Sequence, residues 1–277
     1  MASHLILGCG YLGRVVALRW LAEGKSVAAL TRSRSAELHT MGIEPVLGDV
    51  TDPASLQLPS VETVLYAIGL DRNSGKSMRE VYLNGLSNVL NVLPRPKTFI
   101  YISSTSVYGQ NDGDWVDESS PTLPVEESGQ IVLECERLLR ERLPEAIILR
   151  FAGIYGPGRV IRRASIEKGE AFATDPDGYL NLIHVDDGAT AVLAAAVRAP
   201  AGATYNVVDD QPMTRREFYS EMASQLGAPE PRFTPAVERT NRRIQNGRMH
   251  SELGVDLQFP NFRVGLRQAI GVASTRS

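Results

Sequence analysis

Gly8-Cys9-Gly10-Tyr11-Leu12-Gly13 sets three glycines at the spacing G-x-G-x-x-G directly after an apolar, strand-like run. That pattern lets a chain turn sharply out of a strand, bring backbone N–H groups to a pyrophosphate and pack a helix closely on the sheet. Gly8 serves the turn, Gly10 the approach of phosphates and Gly13 the packing, while Tyr11 and Leu12 open the helix. Tyr11 either covers the pyrophosphate or packs at the sheet edge. Roughly 20 residues on, an NAD-selective loop carries a carboxylate for the ribose hydroxyls. Here the positions are Thr31, Arg32, Ser33 and Arg34. Guanidinium forks and a hydroxyl suit a 2′-phosphate, so NADP is preferred over NAD; the alternative is a basic start to the next helix. Gly48-Asp49-Val50 follows a third strand-like run. Asp49 there either accepts from an adenine amino group or, with Thr51, caps the following turn.

These residues need elements to hold them. Strand-sized runs cover His4 to Gly8, Ser26 to Leu30, Glu44 to Leu47, Thr63 to Ala67, Thr98 to Ser103 and Ala146 to Arg150. None alternates strictly with polar residues, as befits strands buried on both faces of a parallel sheet. Helical periodicity over about Tyr11 to Glu23, Met78 to Leu93 and Gly129 to Arg142 supplies the crossovers. The expected class is α/β, a Rossmann-type doubly wound parallel sheet with a smaller C-terminal substrate lobe. Residues 1–150 form the expected NAD(P)-binding core, and 151–277 the remaining strands, Leu180 to His184 and Thr204 to Val208, with the lobe.

The 277 residues carry 29 Lys and Arg against 32 Asp and Glu, a formal charge of -3. The basic residues are mostly scattered arginines, and Arg162-Arg163, Arg215-Arg216 and Arg242-Arg243 read as solvated surface rather than a nucleic-acid footprint. Asp112, Asp114, Asp117 and Glu118 likewise read as solvated surface. Cys9 and Cys135 make neither a disulfide framework nor a thiolate zinc site. A thiol pKa can fall near a helix N-terminus, yet small-residue filler is the default for Cys9. No apolar run approaches the roughly 18 residues of a membrane span, and Met1-Ala2-Ser3-His4 has no basic leader. A cytoplasmic protein that engages neither membrane nor nucleic acid is expected. In His184-x-Asp186-Asp187, an N-cap for a helix from Gly188 to Val197 is a simpler reading than a metal site or hydrolytic triad.

The ordered motifs resemble the extended short-chain dehydrogenase/reductases, the NAD-dependent epimerase/dehydratase family. The matching segments are Gly8 to Gly13, Gly48-Asp49-Val50, Tyr66-Ala67-Ile68-Gly69, Ser103 to Gly109, Leu149 to Gly158 and Ile183 to Asp187. The resemblance covers nearly the whole chain. It implies a nicotinamide cofactor, NADP or NAD, lined by Val50, Ala67, Ile68 and Gly69 as well as the glycine loop. It implies a small-molecule substrate such as a nucleotide sugar, and a homodimer through the helices of Met78 to Leu93 and Gly129 to Arg142. Ser104, four residues before Tyr108, is the implied holder of the reacting carbonyl or hydroxyl.

The family's acid/base is a tyrosine paired with a lysine four residues later. With Glu136 aligned to the family's glutamate, those positions hold Ser128 and Val132. No tyrosine lies between Tyr108 and Tyr155 and no lysine between Lys97 and Lys168. In this the chain resembles the family's atypical members. Tyr108 is the nearest substitute acid/base, unless its ring packs under the loop. Tyr155 lies in a Gly/Pro loop implied to border the substrate, and Arg159 beyond it could meet an anionic substrate. Two readings follow: an epimerase/dehydratase-like oxidoreductase with a non-standard site, or a catalytically inactive cofactor-binding sensor.

Overall fold

The computed structural model describes residues 2–236 and 240–273; Met1 and 274–277, at the outer ends of the two expected halves, lie outside the described residues, as do 237–239. Its strands begin β1 (His4–Leu7), β2 (Val27–Thr31), β3 (Glu44–Leu47), β4 (Thr63–Tyr66), β5 (Thr98–Ser104), β6 (Trp115–Val116), β7 (Ile147–Phe151) and β8 (Gly153–Tyr155). Seven strands form one parallel sheet in the order Thr204–Val207, β7, β5, β4, β1, β2, β3. Sequence order reverses between β1 and β4, which opens a crevice at their C-terminal ends. Every residue of β1, β2, β4 and β7 is buried, as their unbroken apolar runs require. Half-exposed β3 holds Pro45 at the sheet edge, where its missing N–H costs no ladder bond.

The helices are α1 (Tyr11–Ala22), α2 (Ser35–Thr40), α3 (Gly85–Val92), α4 (Glu127–Arg142), α5 (Arg163–Glu167), α6 (Val185–Arg198), α7 (Arg215–Leu226), α8 (Gly247–Leu253) and α9 (Phe262–Ala273). α1 and α6 cover one face of the sheet, packing Val16, Trp20 and Val192 against Ile6 and Leu149. α3 and α4 cover the other, packing Leu86, Val89, Cys135 and Leu139 against Leu5, Leu7 and Val64. The alternation of Leu5, Ile6 and Leu7 between these clusters is the period of a strand buried on both sides. A third cluster, with Tyr155, Ile166, Phe172, Phe218 and Phe262, lies wholly in the second half of the chain. Among the described residues no helix is long and apolar enough to cross a membrane.

Three local features differ from the sequence expectations. The helix expected over Met78 to Leu93 opens into a π-helical turn at Glu80–Asn84 before α3. That turn ends where Gly85 lies against Val50, so close that an added Cβ would stand 2.8 Å from Val50 Cγ2. Leu180 to His184 is split between two short strands at Asn181, whose side chain bonds Arg242 O and Ile244 N. Tyr179–Leu180 pairs with Met213–Thr214 and Leu182–His184 with β8, so of the two late strands only Thr204–Val207 joins the main sheet. The cap of α6 is His184, whose Nδ1 accepts from Asp186 N, while Asp187 accepts from Gln258 N and Phe259 N.

Candidate active site

The crevice is a cavity of about 840 Å³. It is walled by the loops that leave β1, β2, β3, β4, β5 and β7, so one space joins the glycine loop, the arginine loop and the hydroxyl-rich end of β5.

At its floor the three glycines have distinct duties. Gly8 takes φ +104°, and a Cβ there would stand 2.3 Å from Ala67 O. A Cβ on Gly13 would stand 2.4 Å from Gly8 O, so helix and turn touch through bare backbone. Gly10 N–H bonds Gly8 O at 2.8 Å, but a Cβ on Gly10 would meet nothing within 4 Å. Its surroundings are the open space that a phosphate requires. The first residues of α1, Tyr11 and Leu12, line the same space, as do Ala67, Ile68 and Gly69.

Thr31, Arg32, Ser33 and Arg34 all line the cavity. Thr31 Oγ1 accepts from Ser33 N and Arg34 N, forming the turn that presents the arginines. Arg34 Nη2 donates to Cys9 O at 3.0 Å, which ties this turn to the glycine loop. Arg32 Nη2 lies 3.1 Å from Asp71, a carboxylate on the loop after β4 that sequence reasoning missed. Asp49 and Val50 also line the cavity. Asp49 Oδ1 accepts from Thr51 N and Thr51 Oγ1, so the local turn uses it; Asn88 Nδ2 holds Val50 O. Arg32, Arg34, Lys76 and Arg159 outnumber Asp49 and Asp71 around the cavity, an imbalance that suits an anionic nucleotide.

At the far end Ser103 and Ser104 face Val132, Ala152, Gly153 and Ile154. Ser104 Oγ accepts from Ser106 N at 3.1 Å, which fixes its oxygen and leaves its proton for a ligand. Ser103 Oγ donates to Glu136 Oε1 at 2.5 Å, and Glu136 is paired with Arg150 in the core behind it. Tyr108 does not line the cavity. Its fully buried hydroxyl donates to Asn206 Oδ1 at 2.9 Å and accepts from Arg150 Nη1 at 2.8 Å, and burial raises its pKa. The expectation of Tyr108 as acid/base is therefore corrected: two long-range partners hold its oxygen within the core. Tyr155 is buried against His184 and Phe262, also away from the cavity. Ser128 is exposed outside the cavity, whereas Val132 forms part of its wall.

Burial pushes the Cys9 thiol up, against any lowering by the helix end, and pushes the Tyr11 phenol up to about 12. Tyr82, which sequence reasoning missed, lines the cavity from the π-helical turn, its oxygen accepting from Leu70 N. Nothing in its local sequence marks the distortion that places it there.

A model of the NAD dependent epimerase/dehydratase family matches residues 4–208. The chain belongs to that family. It is 31% identical over 278 residues to Protein YeeZ of Escherichia coli (strain K12), covering 94% of this chain and 97% of that protein. A conserved protein of unknown function from Silicibacter pomeroyi DSS has a solved structure similar at TM-score 0.79 and 28% identity, covering 98% of this chain and 99% of that one. The fold is also that of the DesIV dTDP-glucose 4,6-dehydratase double mutant from Streptomyces venezuelae with NAD and DAU bound, at TM-score 0.83 and 20% identity, covering 99% and 97% of the two chains.

Proposed function

We propose that the chain binds NADP(H) in preference to NAD(H) and acts as an epimerase/dehydratase-like oxidoreductase on a carbonyl or hydroxyl of a nucleotide sugar or related compound. The observation that carries this reading is the single cavity running from Gly10 and Arg32 to Ser104. The open space over Gly10, immediately before α1, fits a pyrophosphate, and Arg32 with Ser33 fits a 2′-phosphate. Among solved structures with this fold, the Streptomyces one contains NAD, which supports a nicotinamide cofactor.

When bound, a nicotinamide supplies hydride exchange with a carbinol or carbonyl carbon. Ser104 then holds the reacting oxygen through its free proton, and the backbone N–H of Ser106 keeps that hydroxyl oriented. Val132 forms the cavity wall at the position matched to the family's lysine, so the proton moves through a group other than a Tyr-Lys pair. The same apolar wall favours a second reading, a cofactor-binding sensor without turnover.

Parallel fluorescence titrations of nucleotide-free protein with NADPH and NADH test the cofactor. NADPH binding tighter by about tenfold or more is expected from a charge-assisted bond to the 2′-phosphate. NADH binding as tight or tighter overturns the arginine argument, and failure of both at millimolar concentration overturns the cofactor reading. With binding in hand, a turnover screen of sugar nucleotides and simpler carbonyl compounds separates enzyme from sensor.

A further inference from the structure

Gly156-Pro157-Gly158-Arg159 is a tight turn built to present its last residue. Proline at the second position and a positive φ of 75° at Gly158 are the type II pattern. Arg159 N–H closes the turn onto Gly156 O at 2.9 Å, and Gly156 N–H returns a bond to Arg159 O at 3.1 Å. The tip is tied across the cavity mouth, because Tyr11 OH donates to Pro157 O at 3.1 Å. Gly156 has to be bare here: a Cβ would stand 2.8 Å from that hydroxyl.

The turn sets the Arg159 guanidinium against the Tyr11 ring, Cζ to centroid 5.4 Å, within cation–π range. Tyr11 is the first residue of α1, immediately after Gly10, so Arg159 stands beside the glycine loop. Other arginines nearby are occupied: Arg14 pairs with Glu37, Arg19 with Asp186, Arg32 with Asp71, and Arg34 with Glu37. Arg159 lines the cavity, and no carboxylate among the described residues pairs with it.

We propose that Arg159 clamps the cofactor's pyrophosphate beside the glycine loop; this rests on the nicotinamide-cofactor reading above. An anion at the N-terminus of α1 meets the N–H groups and dipole of that helix together with an unpaired guanidinium. Arg159 and Ala152, Gly153 and Ile154, which lie by Ser104, line the same cavity from one stretch of chain. Arg159 serves dinucleotides with and without a 2′-phosphate alike, which separates its role from that of Arg32.

The test uses the full chain freed of nucleotide, titrated with NADPH, NADH and 2′-AMP, the last having a 2′-phosphate but no pyrophosphate. Arg159→Ala is expected to weaken NADPH and NADH equally, by about tenfold to a hundredfold, and to leave 2′-AMP binding unchanged. Arg159→Lys should recover part of the loss. An unchanged thermal midpoint without ligand shows that the variant is folded. Wild-type chain that binds NADPH together with an Arg159→Ala variant that binds it equally well overturns the clamp alone. A loss that is as large for 2′-AMP also overturns it. Wild-type chain that binds neither dinucleotide sinks the cofactor reading and the clamp with it.

Discussion

Arg150 and Glu136 meet behind the reactive end of the cavity as a two-point pair, Nε to Oε1 at 3.0 Å and Nη2 to Oε2 at 2.7 Å. Both side chains are almost wholly buried. Around them Ser103 donates to Glu136, while Arg150 donates to Tyr108, which in turn donates to Asn206. Burial opposes charge on Arg150, but the bonds and attraction of Glu136 hold its pKa above the ordinary arginine value. The network joins α4, β5, β7 and the strand Thr204–Val207 at the end of the sheet where Ser104 sits.

Breaking that pair should be costly. Glu136→Ala leaves a buried guanidinium without its counter-charge, and a loss of about 3–5 kcal/mol is expected. Replacing both residues, as Glu136→Met with Arg150→Met, should cost less than the single change, because no lone charge remains. Urea unfolding of the three proteins measures this. A double variant less stable than Glu136→Ala would mean that the polar network, rather than charge pairing, supports this end of the sheet.

The ion pair between Arg32 and Asp71 gives a second expectation, because a 2′-phosphate would compete with Asp71 for the guanidinium. Arg32→Ala should weaken NADPH by about tenfold or more and leave NADH nearly unchanged. Asp71→Asn should shift selectivity the other way by only a small factor, since exposed pairs are worth about 0–1 kcal/mol. Titration of both variants with both nucleotides reads this out. Equal losses for NADPH and NADH in Arg32→Ala would place Arg32 away from the 2′-phosphate.

Local patterns carried most of what could be read before the fold was known. The strands of the sheet announce themselves as apolar runs without alternation, and G-x-G-x-x-G states its own backbone needs. Tyr108 shows the limit. Its partners Arg150 and Asn206 lie 42 and 98 residues away, so nothing near Tyr108 tells that its hydroxyl is spent in the core. The turn at Pro157-Gly158 is legible from its residue types, but its landing place on Tyr11 is 146 residues back in the chain. The π-helical turn at Glu80–Asn84 is built from ordinary residues. It ends where Gly85 packs against Val50, a contact made across the fold.

The glycines allow structural and binding roles to be separated. Gly8→Ala must force a Cβ into Ala67 O at a φ that alanine avoids, and Gly13→Ala must force one into Gly8 O. Both should destabilise the chain by about 1–3 kcal/mol or more. Gly10→Ala meets no atom within 4 Å, so the fold should be kept while its methyl narrows the space for phosphates. Thermal melts paired with NADPH titration distinguish these outcomes. Gly10→Ala with wild-type stability and wild-type affinity would remove Gly10 from the cofactor site.

Asp209 sets a pH dependence of known sign. It is buried, its Oδ1 accepting from Gln211 N at 3.3 Å, and burial, reinforced by Asp210 and Asp187, holds its carboxyl well above the ordinary carboxylate range. The folded chain therefore keeps a proton that the unfolded chain releases near pH 3.9. With fewer protons bound in the unfolded state, stability falls as pH rises from about 4 towards the folded pKa, by at most about 1.4 kcal/mol per pH unit. His184 works in the other direction: burial lowers its pKa, so stability falls as pH drops below about 6.5. Asp209→Asn removes only the first effect, since the amide keeps an acceptor for Gln211 N. Relative to wild type, the variant should therefore gain stability between pH 5 and pH 7, measured by urea unfolding at each pH. A difference that stays constant over that range would mean that Asp209 is already ionised in the folded chain at pH 5.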